Sequence, residues 1–521
     1  MKIILLITYV FVLNIQAQNF NRYTDSLFTY EKVVSDKIYA TALALDSNYN
    51  GESSTYLQEL KFDLYQPKDD SLEIRPLLIC VHGGAFIEGT KENEDMVEFC
   101  KVFAQRGYVT TTIQYRIGMN LLSPNSSERA VYRGIQDGRA AVRYFKENAT
   151  EYGIDTNNIY ILGSSAGAFV GLHNLFMNEE GERPKSSFEI SNSLQTSDNG
   201  PDLGSLDAVN PNIDHNSHPK GVIALWGAIR DTLLIKETDV SVPLFLVHGK
   251  ADNSVHFGIG SPFNFFLFPK TFGSSVIDRR LQNLGVFSET YFVDGKKHEF
   301  YGVSKGMWNP EPNLYWDTIV TKSSNFMWNI HKPIANFASG YDTTTDSIVF
   351  EDSSKGAIKW EWDFGDGDFS NEQNPTHHYS EWNRYLVKLK IFNSIDSWDT
   401  TSAYIDFIHV DVEDEKILPL NFELSQNYPN PFNPTTVIKY QIPNNKSQTN
   451  FNVALGNESF RSVQLIIYDL LGRVVATLVN EKKSAGKYSV SFDASNLNSG
   501  VYFYSLSVGN FKETKKMILL R

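Results

Sequence analysis

Cysteine is nearly absent from this chain: 521 residues hold only Cys80 and Cys100, too few for a disulfide-stapled fold. Cys80 sits in the apolar run PLLICV and Cys100 in the helix-like MVEFCKVFAQRG, where two small buried thiols are as reasonable as a bridge. Positive charge is also short, with 47 Lys and Arg against 61 Asp and Glu and a net charge of -14, which argues against nucleic acid as the main partner. The deficit is uneven. From residue 421 onward eleven Lys and Arg face six Asp and Glu, so the acidity belongs to the rest of the chain. Long apolar runs are missing except at the start, where Ile3 to Leu13 follow Lys2. That run is too short to span a bilayer, and small Ala17 follows at a plausible cleavage point, so residues 1–18 read as a secretory signal. A soluble, exported protein that does not span the membrane is expected.

What is present has three textures. From about residue 60 to 330, strand-length runs such as LLICV, YVTTTIQYR, IYILG, KGVIALWG, VPLFLVHG and ETYFVDG alternate with helix-period segments. This alternation predicts a mostly parallel sheet flanked by helices. The polar stretch Glu179–Pro219 interrupts it and reads as a long insertion with little to bury, placed to shape substrate choice. After Pro333 helical periods vanish, and two small all-β sandwich domains are expected. The boundaries fall at 19–332 for the α/β domain, 333–412 for the first β module, 413–421 for an acidic linker and 422–521 for the last module.

The chemistry is concentrated in the first domain. Gly163-Ser164-Ser165-Ala166-Gly167 fits G-x-S-x-G, preceded by the strand NIYILG and followed by the helix-compatible AGAFVGLHNLFM. That strand–turn–helix context lifts a serine hydroxyl above a sheet edge, which makes Ser165 a candidate nucleophile. Upstream, His82-Gly83-Gly84-Ala85-Phe86 follows a strand, and small residues at 83 to 85 leave backbone N–H groups open to a developing oxyanion. A serine nucleophile needs a base, and the base needs an orienting acid. VPLFLVHGKADNSV carries Asp252 into a loop after one strand, and ETYFVDGKKHEF carries His298 after the next. The order Ser165, Asp252, His298 suits an open α/β sheet. His256, His248 and His331 are poorer candidates for the base, and Asp294 is a weaker rival acid better suited to a turn.

Residues 60 to 330 resemble the α/β-hydrolase esterase/lipase families with an HGG(G/A)(F/W) loop, and GIQDGRAAVRYFKENATEYGIDTNNIYILGSSAG is similar to their approach to the serine. The resemblance implies a catalytic Ser165, Asp252 and His298, oxyanion N–H groups from Gly84, Ala85 and Ala166, and no metal or cofactor. Ala85 and Ala168 depart from the glycines many members carry. WEWDFGDGDFSNEQNPTHHYSEWNRYLVKLKIFN resembles a PKD domain, in which Asp-Gly pairs make hairpin turns and Trp362 anchors the core. Asp363, Asp366 and Asp368 suit turns better than a calcium loop. YPNPFNPTT, YDLLGRVVATL and SGVYFYSL resemble a C-terminal sorting domain of the type IX secretion system, implying export through that machinery to the surface or the medium.

Together these readings describe a secreted serine carboxylesterase acting on extracellular carboxylic esters, such as acetyl or feruloyl groups on polysaccharide. Serine peptidases and polyester hydrolases share the fold, and a non-catalytic surface adhesin is the alternative of another class.

Overall fold

The computed structural model describes residues 21–45, 52, 55–191, 200–210, 214–237, 243–286, 288–407, 421–443 and 460–520. The expected secretory signal over 1–18 lies outside these residues, as does the acidic linker over 413–421 save its last residue. The chain divides into two compact units, Met1–Ile408 and His409–Arg521.

The first unit is built on an eight-stranded sheet. Its strands are β1 (Tyr30–Leu45), β2 (Thr55–Pro67), β3 (Arg75–Val81), β4 (Val109–Ile113), β5 (Ile154–Ser164), β6 (Gly221–Leu225), β7 (Leu244–Gly249) and β8 (Glu289–Val293). They lie in the order β1-β2-β4-β3-β5-β6-β7-β8. From β4 to β8 every pairing is parallel. The central strands are buried end to end, as apolar runs covered on both faces must be. Helices α1 (Glu94–Ala104), α2 (Pro124–Glu147), α3 (Ala166–Phe176), α4 (Ser274–Asn283) and α5 (Leu314–His331) cover them.

The alternation read from residue 60 onward omits one feature. β1 and β2 form a long antiparallel edge hairpin, with β2 also antiparallel to β4. Much of β1 faces solvent, so it carries no apolar run to announce it.

The insertion also differs from expectation, because it is anchored. Arg129, Arg139 and Arg143 of α2 are buried and reach its carbonyls and carboxylates, while buried Arg133 beside them pairs with Glu52 (2.5 Å) and Gly118 O (2.8 Å). Arg129 Nη1 donates to Ser186 O (2.7 Å), Arg139 forks onto Asp207 (2.8 and 3.0 Å), and Arg143 Nη1 reaches Ser217 Oγ (2.6 Å). Leu206 and Val209 of the insertion join the core. An arginine-rich helix face is here the clamp for a polar segment.

The PKD segment packs a three-stranded sheet (Phe337–Asp342, Ser347–Asp352, Thr376–His377) with a four-stranded one built around Asn383–Phe392. Trp362 is buried against Phe337 and Phe350. Asp363 and Asp366 accept the N–H groups of Gly365 (3.0 Å) and Asp368 (3.1 Å), the turn role expected of them. The tip at Ile395 is buried among residues of the α/β domain. There Tyr23 Oη donates to Ile395 O (2.5 Å), and Asn393 Nδ2 to His331 O (2.6 Å). Burial pushes His331 down to about 3, so it holds this junction as a neutral ring.

The second unit is an antiparallel sandwich of three and four strands, its core including Leu465, Ile467, Tyr504 and Leu506. Among the described residues no helix is long and apolar enough to cross a membrane.

Candidate active site

β5 delivers the chain to Ser164, and α3 starts at Ala166; between them Ser165 takes φ 51° and ψ -112°. A non-glycine residue there is strained. The flanking glycines are required by crowding. A Cβ on Gly163 would lie 2.2 Å from Gly167 O, and one on Gly167 would lie 2.1 Å from Val81 O. The spacing of G-x-S-x-G is thus a record of two backbone contacts. Ser165 N–H is tied back to Leu225 O of β6 (3.0 Å), which fixes the turn and leaves Oγ at the cavity surface.

The loop after β3 faces this turn. Gly84 (φ 108°), Ala85 (φ 53°) and Phe86 (φ 61°) form a left-handed run, and a Cβ on Gly84 would overlap Glu88 O at 2.0 Å. Tyr115 pins the loop by donating to His82 O (3.1 Å) and stacking on the His82 ring (4.3 Å). His82 Nδ1 donates to Gly83 O (2.7 Å), and burial pushes the ring down to about 4, so it orders the loop as a neutral group. Among the described residues no acceptor takes the N–H of Gly84, Ala85 or Ala166. Successive open N–H groups beside a helix start make an anion-binding concavity.

β7 and β8 end in the two remaining loops. His298 Nε2 lies 2.9 Å from Ser165 Oγ, and Nδ1 lies 2.7 Å from Asp252 Oδ2. With Nδ1–H donating to the carboxylate, Nε2 is left to accept the serine proton. Asp252 Oδ1 accepts Ser254 N (2.8 Å) and Val255 N (3.1 Å). Burial works to raise the Asp252 pKa, but hydrogen bonds from His248 and His298 outweigh it and hold the carboxylate well below its ordinary range. Of the competing residues, Asp294 is exposed and pairs with Lys250 (3.0 Å), His256 meets Asn264 (2.9 Å), and His331 lies at the junction.

Two neighbours go beyond the sequence reading, which weighed His248 only as a poorer base and did not single out Trp226. His248, fully buried, places Nε2 3.2 Å from Asp252 Oδ2 while Nδ1 meets Ser274 Oγ (2.8 Å). Its position four residues before Asp252 was the available signal. Trp226, directly after β6, donates Nε1–H to Ser164 Oγ (3.1 Å) and tilts over His298 at 6.0 Å between ring centroids.

Ser165, Ala85 and Ala166 open onto a cavity of about 450 Å³ with apolar walls that include Phe86, Phe169 and Phe268. Pro184 and Lys185 of the insertion form part of its wall. Potential metal donors group elsewhere: among the described residues, only Asp366, Asp368 and His377 of the PKD segment bring ligand atoms within 4.8 Å of one another. Two of them are exposed, and Asp366 already pairs with His377 (2.7 Å).

Comparison with known proteins matches three separate stretches of the chain. Residues 62–199 match the BD-FAE family, 330–406 the PKD domain family, and 426–520 the secretion system C-terminal sorting domain. Gut esterase 1 of Caenorhabditis elegans is 34% identical over 123 residues, 23% of this chain and 21% of that protein. Para-nitrobenzyl esterase of Bacillus subtilis (strain 168) is 31% identical over 111 residues, 21% of this chain and 22% of its own. The matched stretch therefore spans about a fifth of these relatives' length. The solved structure of Thermogutta terrifontis esterase 2 phosphoramylated by tabun aligns over 57% of this chain and 96% of its own, at 18% identity and a TM-score of 0.37. The chain thus carries an α/β-hydrolase domain with a BD-FAE match, a PKD domain, and a C-terminal sorting domain that marks it for type IX export to the cell surface or medium.

Proposed function

We propose that the chain is an exported serine carboxylesterase. The observation that carries this reading is the continuous hydrogen-bonded relay Ser165–His298–Asp252, opening on an apolar cavity beside three free N–H groups. Ser165 Oγ attacks the ester carbonyl as His298 Nε2 takes its proton. Asp252, kept ionised at neutral pH, holds the ring and stabilises the imidazolium. The N–H groups of Gly84, Ala85 and Ala166 receive the oxyanion, and the left-handed backbone of Gly84 and Ala85 is set before substrate arrives. His298 then returns the proton to the leaving alcohol, and water, activated by the same ring, resolves the acyl-enzyme.

The substrates are extracellular carboxylic esters. Acetyl and feruloyl groups on polysaccharide suit both the exported address and an aromatic-lined cavity of this size, and the insertion wall at Pro184 and Lys185 tunes the choice among them. The sorting domain engages the type IX machinery and takes no part in the chemistry. Two measurements test the proposal: labelling of Ser165 by a fluorophosphonate, and turnover of p-nitrophenyl esters of increasing acyl length beside methyl ferulate. Absence of both labelling and turnover sinks it.

A further inference from the structure

Arg230 stands on the cavity wall just beyond β6, half-buried. Its backbone N–H donates to His173 Nε2 (3.2 Å), and His173 Nδ1 donates to Phe169 O (2.8 Å). Burial pushes His173 down to about 4, so this neighbour stays neutral and offers Arg230 no counter-charge. The guanidinium itself meets no acceptor and no carboxylate within 4.0 Å among the described residues. The contrast with α2 is direct, since Arg129, Arg133, Arg139 and Arg143 each engage carbonyls or carboxylates. A guanidinium carries five donors in a planar fork, and partly burying it with none of them used is costly unless a ligand completes it.

Two further cations, Lys185 and Lys270, line the same cavity, and neither makes an ion pair among the described residues. Two acids also line it; each accepts a neutral protein donor and keeps its charge. Glu128 accepts Ser186 Oγ–H (2.8 Å), and Asp231 accepts Leu233 N–H (2.9 Å). On a chain of net charge -14, three cations against two acids leave the lining of this cavity net positive by one.

We infer that the site reads a carboxylate on its ester substrate, with Arg230 as the specificity-determining residue and Lys185 and Lys270 adding to its field. The inference rests on the esterase reading above. The substrate class is then an ester that carries an acid group besides the bond to be cut, as in a dicarboxylic half-ester or an acylated uronic acid. A carboxylate matches the fork of Arg230 in two parallel hydrogen bonds, while the apolar wall takes the remainder of the molecule.

The test uses two matched pairs of esters with the full chain. Monomethyl adipate against methyl hexanoate puts the charge on the acyl side, and 4-acetoxybenzoate against methyl 4-acetoxybenzoate puts it on the alcohol side. The readout is the ratio of kcat/KM, anionic over neutral, within each pair. In one pair the wild-type ratio should exceed one and fall with added salt. R230Q should lower that ratio about 10- to 100-fold through KM, with R230K restoring only part of it. The exposed pair K185Q/K270Q, whose side chains make no hydrogen bond or ion pair among the described residues, should lower it about 3-fold, and keeps the test independent of how R230Q folds. A ratio at or below one in both pairs, or a ratio insensitive to salt and to both variants, overturns the inference while leaving the esterase standing. Failure to hydrolyse any of the four esters, with no fluorophosphonate labelling, removes the esterase reading and this inference together.

Discussion

The half of the site around Ser165 and the loop after β3 is made of backbone, whereas the half carrying Asp252 and His298 is made of side chains. In the first, Gly163, Gly84 and Gly167 stand where a Cβ would run into a carbonyl at 2.0 to 2.2 Å, and three consecutive residues, Gly84 to Phe86, hold positive φ. In the second, position comes from hydrogen bonds: Asp252 is gripped by two N–H groups and approached by two histidines. A backbone-built half has rigid demands on residue type at fixed spacing. A half built of side chains accepts many spacings, provided the loops meet.

The sharpest way to break the comparison is to cut the relay that joins the two halves. S165A and H298A are each expected to lower kcat by about 10⁴-fold or more, and the double variant should fare little worse than either. D252N should fold and lose about 10⁴-fold by favouring the wrong tautomer of His298. Steady-state rates on a p-nitrophenyl ester, with circular dichroism to confirm folding, decide this. A near-wild-type rate in S165A would place the chemistry elsewhere.

The next effect belongs to the backbone half. G167A brings a methyl against Val81 O and His82 O, so either α3 or the β3 end must move. The expected cost is about 3 kcal/mol in urea unfolding, with activity lost in the fraction that still folds. An alanine variant of full stability would show that the contact relaxes freely.

The same difference explains what could be read without a structure. Ser165 and the glycines around it were legible because crowding permits few alternatives. Asp252 and His298 were legible only because each follows a strand of the parallel sheet, so that chain order narrowed the choice. His248 was weighed only as a poor base at a strand end, where a histidine resembles any buried ring; its contact with Asp252 depends on how the loop turns back. The hairpin of β1 with β2 escaped notice because its exposed face carries no apolar signal. The clamp of Arg129, Arg139 and Arg143 was invisible for another reason: most of its acceptors are carbonyls, which every residue has.

On the side-chain half, the His298 loop rests on a buried acid. Tyr301 Oη donates to Asp95 Oδ2 (2.7 Å), and burial pushes the Asp95 carboxyl up to about 7. An unfolded chain releases that proton near pH 4, while the folded chain keeps it to about 7. Between these values the unfolded state binds fewer protons, so this group's contribution falls as pH rises from about 4 to about 7 and then levels off. D95N removes the titration. Its urea unfolding, compared with wild type from acid to neutral pH, should lose a slope worth on the order of 4 kcal/mol. Parallel pH profiles in the two proteins would show that Asp95 ionises normally.

The smallest effect returns to the backbone half, at Ala85. Its φ of 53° lies in the left-handed region, where an alanine pays about 1–2 kcal/mol over glycine. Glycine, however, gives the unfolded chain more freedom, which costs about 0.4–1 kcal/mol. The two terms oppose each other, and the strain is the larger, so A85G should stabilise the protein by about 0.5–1 kcal/mol. The same change frees a residue whose N–H faces the cavity, so kcat should fall by no more than about 3-fold as the loop becomes less fixed. Denaturation midpoints and kcat, measured on one preparation, separate the two effects. A destabilised A85G would mean that the methyl packs more than it strains, and that this loop, like the Asp252–His298 half, is held by side-chain contact.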